Sequence, residues 1–162
     1  GLPKVYEAEL TFGTISESED AEGPFTKSAT FEQLQGLTES TVLAALPAFI
    51  GTISQRPPTY SAIKVGGVPL YKKARKGQIT SSEVAERVVT IDSIELLSFV
   101  PYTPPFPPTA RIRVHCQKGV YIRSLARDIG ASVGTGAYMS DLIRTQVGPY
   151  TVEKAHELPP RQ

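Results

Sequence analysis

Between residues 5 and 12 the chain alternates with a period of two: Tyr6, Ala8, Leu10 and Phe12 are separated by Glu7, Glu9 and Thr11. Successive side chains of an extended chain point to opposite faces, so this pattern predicts a half-buried strand with Tyr6 on its covered face. The polar run 16–23 predicts a loop. Thr38 then offers a side-chain acceptor for a helix start. A helix is predicted from it toward Leu46, with Val42, Leu43 and Leu46 as its apolar stripe. Pro47 lacks an N–H and kinks or ends that helix near Gly51.

Residues 57–77 show no clean period and carry Gly and Pro along their length, which predicts a long excursion from the core. Residues 88–100 are rich in β-branched and apolar side chains and predict one strand or a pair. Pro101, Pro104, Pro105, Pro107 and Pro108 follow as a stiff loop unable to supply ladder donors. Ala110, Ile112, Val114 and Cys116 alternate with Arg111, Arg113 and His115, predicting a strand with one basic face. Gly119 marks a turn or bulge. Ile122, Leu125, Ala126, Ile129 and Val133 recur at helical spacing, with Gly130, Gly134 and Gly136 expected at or beyond the helix end. No internal repeat is present, and a single domain is expected over residues 1–162.

Composition narrows the class. Hydrophobic residues at 40% and charged residues at 20% over 162 positions suit a globular domain with a real core and argue against disorder throughout. No window approaches the roughly 18 consecutive apolar residues of a membrane span, and no signal pattern opens the chain, so a soluble protein is expected. A single cysteine, Cys116, excludes an internal disulfide and favours an intracellular compartment, cytoplasmic or organellar.

The net charge of +1 conceals an uneven distribution. Residues 7–40 hold eight acids against Lys27 alone, whereas residues 56–77 hold Arg56, Lys64, Lys72, Lys73, Arg75 and Lys76 without an acid, interleaved with Tyr60 and Tyr71. The second stretch suits a phosphate backbone. A further basic set, Arg111, Arg113, Lys118, Arg123 and Arg127, also lies in an acid-free segment. Charge alone leaves ordinary solvated faces as an equal alternative.

Several motifs carry no chemistry. Gly130, Gly134 and Gly136 follow a helix, whereas phosphate-binding loops precede one. His115 and His156 have no second ligand at metal spacing, so no metal site is expected, and no G-x-S-x-G elbow is present. The run Cys116-Gln117-Lys118-Gly119-Val120-Tyr121-Ile122-Arg123 is more suggestive, since Tyr121 and Arg123 at a strand-to-helix junction could offer a hydroxyl and a cation to one cleft. Taken alone, a buried tyrosine with a satisfied hydroxyl beside a surface arginine is the commoner explanation of those two residues.

This run resembles the K-G-x-Y-I-R-x-L segment of the TruB family of tRNA pseudouridine-55 synthases, and the likeness extends along the chain. Lys4-Val5-Tyr6 resembles that family's K-x-Y strand. Gly13 followed by Ser16-Glu17-Ser18-Glu19-Asp20-Ala21-Glu22-Gly23 is similar to its G-x-x-T-D-T-x-D-A-x-G loop, with serines and glutamate for threonines and aspartate. Gln55-Arg56-Pro57-Pro58-Thr59-Tyr60-Ser61-Ala62-Ile63-Lys64, then Gly67, Tyr71, Ala74-Arg75 and Gly77, matches its most specific signature. Gly134-Thr135-Gly136-Ala137, Leu142-Ile143-Arg144-Thr145 and Gly148-Pro149-Tyr150 resemble its ending.

The resemblance implies an α+β fold, a mixed, mostly antiparallel sheet with flanking helices, forming part of the pseudouridine synthase fold. It implies isomerisation of uridine to pseudouridine in the T-loop of tRNA, by base flipping, without cofactor or metal, by a protein that is monomeric at full length. By position Tyr6 matches the tyrosine that stacks on the flipped base, Tyr121 a second pocket tyrosine, Arg123 the arginine that pairs with the catalytic aspartate, and Leu142 an apolar pocket wall. Segment 56–77 resembles a thumb-like RNA grip, with Tyr60, Lys64, Tyr71, Lys72 and Arg75 as contacts beside Lys118 and Arg144. The family's nucleophile lies in a G-x-L-D-x-x-A-x-G motif ahead of the K-x-Y strand, and this chain starts three residues before Lys4. The expectation is therefore the C-terminal, larger part of a catalytic domain, inactive alone, from a polypeptide whose preceding segment supplies the aspartate. A catalytically silent RNA-binding or RNA-remodelling module of the same fold is the alternative.

Overall fold

The structure is a computed structural model that describes residues 3–58, 64–65, 68–69, 85–147 and 150–151. Its centre is a six-stranded sheet built from β1 (Lys4–Phe12), β4 (Gly51–Gln55), β7 (Arg87–Val100), β8 (Thr109–Cys116), β9 (Ala137–Val147) and β10 (Tyr150–Thr151). The order is β10-β9-β1-β8-β7-β4, and every neighbouring pair is antiparallel. Two small hairpins stand apart from it, β2 (Thr14–Ser16) with β3 (Phe25–Lys27), and β5 (Lys64–Val65) with β6 (Val68–Pro69). Among the described residues the helices are α1 (Phe31–Gly36), α2 (Glu39–Ala45), which runs on as a 3₁₀ turn (Leu46–Phe49), and α3 (Ile122–Ser132).

The alternating pattern of β1 places Tyr6, Ala8, Leu10 and Phe12 in the core between the two strands it pairs with. Ala110, Ile112, Val114 and Cys116 of β8 do the same, and Ile122, Leu125, Ala126 and Ile129 of α3 close over that face with Val42 and Leu46. Each large apolar side chain so covered contributes about 1.5–3 kcal/mol, which is why one sheet face and three helical segments form a single core. Leu43, expected on the apolar stripe of α2, is instead 48% exposed. A short helix buries one narrow stripe, and Val42 with Leu46, four apart, already fill it.

The opposite face of the sheet is not the open basic surface that Arg111, Arg113 and His115 suggested. Antiparallel register sets Arg113 opposite Glu7 and Glu95, and Arg111 opposite Glu9. Arg113 pairs with Glu7 at 3.3 Å and Glu95 at 3.4 Å, Arg111 with Asp141 at 3.3 Å, and His115 lies 3.8 Å from Glu95. Glu7, Glu95 and Asp141 therefore neutralise the bases of β8 across strands. Partly exposed pairs of this kind contribute about 0–1 kcal/mol each and chiefly oppose register slips.

Residues 88–100 form one long strand rather than a pair, bent by two register shifts, between Ile91 and Ser93 and between Leu96 and Ser98. Gly130, expected at or beyond the helix end, sits inside α3 and is buried. A Cβ there would run into the backbone nitrogen of Ala137, so this glycine lets α3 lie directly on the start of β9. Gly134 at φ +86° takes the left-handed turn after the helix, as expected. The helix α1 had no counterpart in the periodicity reading. Its signal was local: Thr30 and Gln33 form a capping box, with Gln33 N–H donating to Thr30 Oγ1 at 3.1 Å and Thr30 N–H to Gln33 Oε1 at 2.8 Å.

Candidate active site

The residues singled out at the strand-to-helix junction come together where α3 begins. Tyr121 is the N-cap of α3, but its own side chain makes no cap bond. Gln55, at the end of β4, supplies that function: its Nε2 donates to the Tyr121 carbonyl at 3.0 Å, and its Oε1 accepts from the Tyr121 N–H at 2.9 Å. Two residues on, Arg123 points toward the loop 16–23. Its Nη1 donates to the Ser18 carbonyl at 3.1 Å and lies 3.7 Å from Asp20 Oδ2. Helical geometry fixes the direction in which Arg123 leaves the helix, and the loop is folded to meet it.

That loop is tightly organised. Ser16 and Ser18 hydroxyls lie 3.0 Å apart, Ser18 Oγ donates to Asp20 Oδ1 at 2.5 Å, and Glu22 N–H donates to the same oxygen at 3.0 Å. Glu19 adopts φ +66°, a left-handed conformation costing about 1 kcal/mol for a residue with a Cβ. It is held there by its N–H to the Ser16 carbonyl at 2.9 Å and by the Met139 N–H to its own carbonyl at 3.0 Å.

Glu19 also reaches Arg127, one turn beyond Arg123. Arg127 Nη1 donates to Glu19 Oε1 at 2.7 Å, its Nε to Asp128 Oδ1 at 2.9 Å, and its Nη2 to the Arg56 carbonyl at 2.9 Å. Burial pushes the Glu19 carboxyl above the usual carboxylate range, and the charge and hydrogen bond of Arg127 pull it back only in part. Helix α3 thus anchors two things on one side: the loop carrying Asp20, and the point where the basic excursion leaves β4.

Leu142 and Tyr6 belong to the adjoining strands. Leu142 stands opposite Ala8 in the β9–β1 ladder, two residues along from Tyr6. Leu142 is buried and lines a cavity of about 170 Å³ together with Asp20, Ala21, Glu22, Met139, Ser140 and Asp141. Tyr6 is 2% exposed, so its ring is covered in this arrangement. Lys118 is exposed in the turn before α3. Arg144 is placed by its backbone opposite Tyr6. Tyr60, Tyr71, Lys72 and Arg75 lie outside the described residues, as does the side chain of Lys64.

With these positions in place, comparison with known proteins decides the family. The family described as TruB family pseudouridylate synthase (N terminal domain) matches residues 1–122, and that described as tRNA pseudouridylate synthase B C-terminal domain matches residues 123–159. The chain belongs to the TruB family. Among TruB relatives, it is 41% identical over 150 residues to the tRNA pseudouridine synthase B of Xanthomonas axonopodis pv. citri, covering 93% of this chain and 45% of that protein. It is 43% identical over 152 residues to the tRNA pseudouridine synthase B of Halalkalibacterium halodurans, covering 94% and 48%. The chain spans about half the length of these relatives. Among solved structures it is similar to a Cbf5-Nop10-Gar1 complex, with TM-score 0.55, 26% identity, and coverage of 92% of this chain and 31% of that one. An archaeal box H/ACA sRNP Nop10-Cbf5 complex shares the fold, with TM-score 0.52, 21% identity, and coverage of 93% and 30%. The α+β, mostly antiparallel architecture read from the sequence is the one these structures share. The boundary between the two family matches falls at the first residues of α3, yet β9 of the second pairs with β1 of the first, so both build one sheet.

Sequence reading singled out Tyr121, Arg123 and Leu142 but not three residues that the structure sets around this junction. Asp20 was read as one acid in a polar loop. Its position in the D-A-x-G part of the loop motif was the available signal. Gln55 was read only as the first letter of a signature, and Arg127 only as one charge in a basic set. The partners of both lie far away in sequence, and no periodicity reports that.

Proposed function

We propose that the protein of which this chain forms the larger, C-terminal part of a catalytic domain isomerises uridine to pseudouridine in the T-loop of tRNA. The observation that carries this reading is the meeting of Arg123, Asp20 and Leu142 around one junction, a cation and an apolar wall beside a cavity. In this reading the target uridine is flipped out, at a cost of a few kcal/mol of unstacking that pocket stacking and phosphate contacts offset. Arg123 holds an aspartate nucleophile ionised and oriented. Tyr121 and Leu142 line the pocket. Tyr6 stacks on the base and is placed for proton transfer, once its ring is uncovered. Segment 56–77, with Tyr60, Lys64, Tyr71, Lys72 and Arg75, grips the RNA backbone, with Lys118 and Arg144 as further contacts. No redox cofactor is called for, because exchanging the C–N glycosidic bond for a C–C bond between the same sugar and base is an isomerisation.

The test is pseudouridine formation in a T-arm RNA by the full-length protein and its Arg123→Ala variant, read by base-specific chemical labelling. The expected result is product with the parent and a loss of at least a hundredfold with the variant, on the scale of removing an essential electrostatic group. A second reading, a silent RNA-binding module, draws support from the same junction, because Asp20 and the Ser18 carbonyl already engage Arg123. RNA binding by the full-length parent without product would favour that reading and overturn the first.

A further inference from the structure

We propose that Gln55 is a positioning residue for this reaction: its buried side-chain amide clamps the main chain of Tyr121 and so sets how the start of α3 presents Tyr121 and Arg123. The inference rests on the function proposed above and adds a residue to it. Gln55 is 2% exposed, and its amide meets Tyr121 with both of its functions, a donor on the carbonyl and an acceptor on the N–H. A primary amide offers that donor–acceptor pair at one planar group across the physiological pH range, whereas a carboxyl does so only when protonated. The Tyr121 carbonyl also accepts the first helical bond from Leu125 N–H at 3.1 Å, so both of its lone pairs are committed. The peptide plane that begins α3 therefore cannot rotate without breaking the clamp.

The consequence reaches both sides of the site. Gln55 is the last residue of β4, and Arg56, immediately after it, gives its carbonyl to Arg127 of the same helix. Three hydrogen bonds thus join the strand end from which the basic excursion departs to the helix that carries Arg123. A small rotation of the α3 start would move the Arg123 guanidinium relative to Ser18 and Asp20. Displacement of about 1 Å in such a group costs on the order of a hundredfold in rate.

Two variants test the clamp in the full-length protein. Gln55→Met keeps the length and apolar volume but removes both hydrogen bonds. It is expected to speed hydrogen exchange at the Tyr121 amide on the order of tenfold and to lower kcat about 10- to 100-fold, with KM for T-arm RNA changed less than about threefold, because the buried Gln55 side chain bonds the start of α3 and does not itself face the RNA. Gln55→Glu cannot donate to the Tyr121 carbonyl when ionised, but its neutral acid restores both bonds. Its kcat relative to the parent should rise as pH falls from about 8 to 6, while that of Gln55→Met stays level. Unchanged exchange and kcat in a folded Gln55→Met protein, or a pH-independent ratio for Gln55→Glu, overturns the proposal. If Gln55→Met does not fold, the pH ratio of Gln55→Glu decides alone. A parent protein without activity would sink the functional reading but not the clamp, which the exchange measurement judges by itself.

Discussion

Replacing Arg127 by Met removes three hydrogen bonds at once, those to Glu19 Oε1, Asp128 Oδ1 and the Arg56 carbonyl, while keeping a flexible apolar stem in place. The main cost is the carboxylate left behind. Glu19 keeps 10% of its side chain exposed and Arg127 15%, and Glu19 Oε2 has no hydrogen-bond partner among the described residues. Breaking a fully buried ion pair from one side costs about 3–5 kcal/mol. Because some water reaches this pair and Glu19 can take up a proton, we place the loss at the lower end, about 3 kcal/mol. For a chain of this size that corresponds to a drop in Tm of roughly 6–12 °C.

The same variant has a pH signature whose sign follows from the direction of the Glu19 shift. Burial holds this carboxyl above its ordinary value of 4.5, and Arg127 is the chief group opposing the rise. A carboxyl raised in the folded state contributes stability that is fully present below the unfolded value and is lost as pH rises through the folded one. Without Arg127 the folded value rises further. The deficit of Arg127→Met should therefore narrow toward pH 4.5 and widen toward pH 8, and adding Glu19→Gln should recover at least about 1 kcal/mol at neutral pH. Denaturant unfolding followed by circular dichroism across that range is the assay. A deficit below about 1 kcal/mol, or one equal at pH 5 and pH 8, would refute the reasoning.

Other perturbations read other parts of the structure. Gly130→Ala adds a methyl that meets the Ala137 backbone nitrogen and, at 2.5 Å, the Gly136 carbonyl carbon. It should cost about 1–3 kcal/mol in thermal unfolding despite a helix-propensity gain of about 1 kcal/mol. Gly36→Ala, where nothing lies within 4 Å, should be neutral or slightly stabilising, and equal effects at the two sites would contradict the packing argument. Cys116 is 1% exposed, and burial pushes its thiol up to about 11, so alkylation at pH 8 should proceed only as fast as the protein unfolds. Labelling within minutes under native conditions would show the covered face of β8 to be open.

How much of this was legible beforehand depends on the range over which each signal acts. The strands β1 and β8 and the helix α3 were readable because burying one face imposes a repeat of two or 3.6 on neighbouring residues, and the repeat survives in any linear reading. The motif blocks around Tyr6, Tyr121, Arg123 and Leu142 carried the family and its implied site for a related reason: each is a short run with its chemistry in place. The capping box of α1 was equally local and was overlooked in favour of periodicity. Tertiary structure alone decided the rest. Gln55 meets Tyr121 across 66 residues, Arg127 meets Arg56 across 71, and Arg127 meets Glu19 across 108. The basic face of β8 became a neutral ladder only when antiparallel register set Glu7, Glu95 and Asp141 beside its arginines. A sequence states which side chains can donate, accept or carry charge. Which donor is forced onto which acceptor is settled by close packing, because a buried polar group must find its partner among whatever the fold brings within about 3 Å.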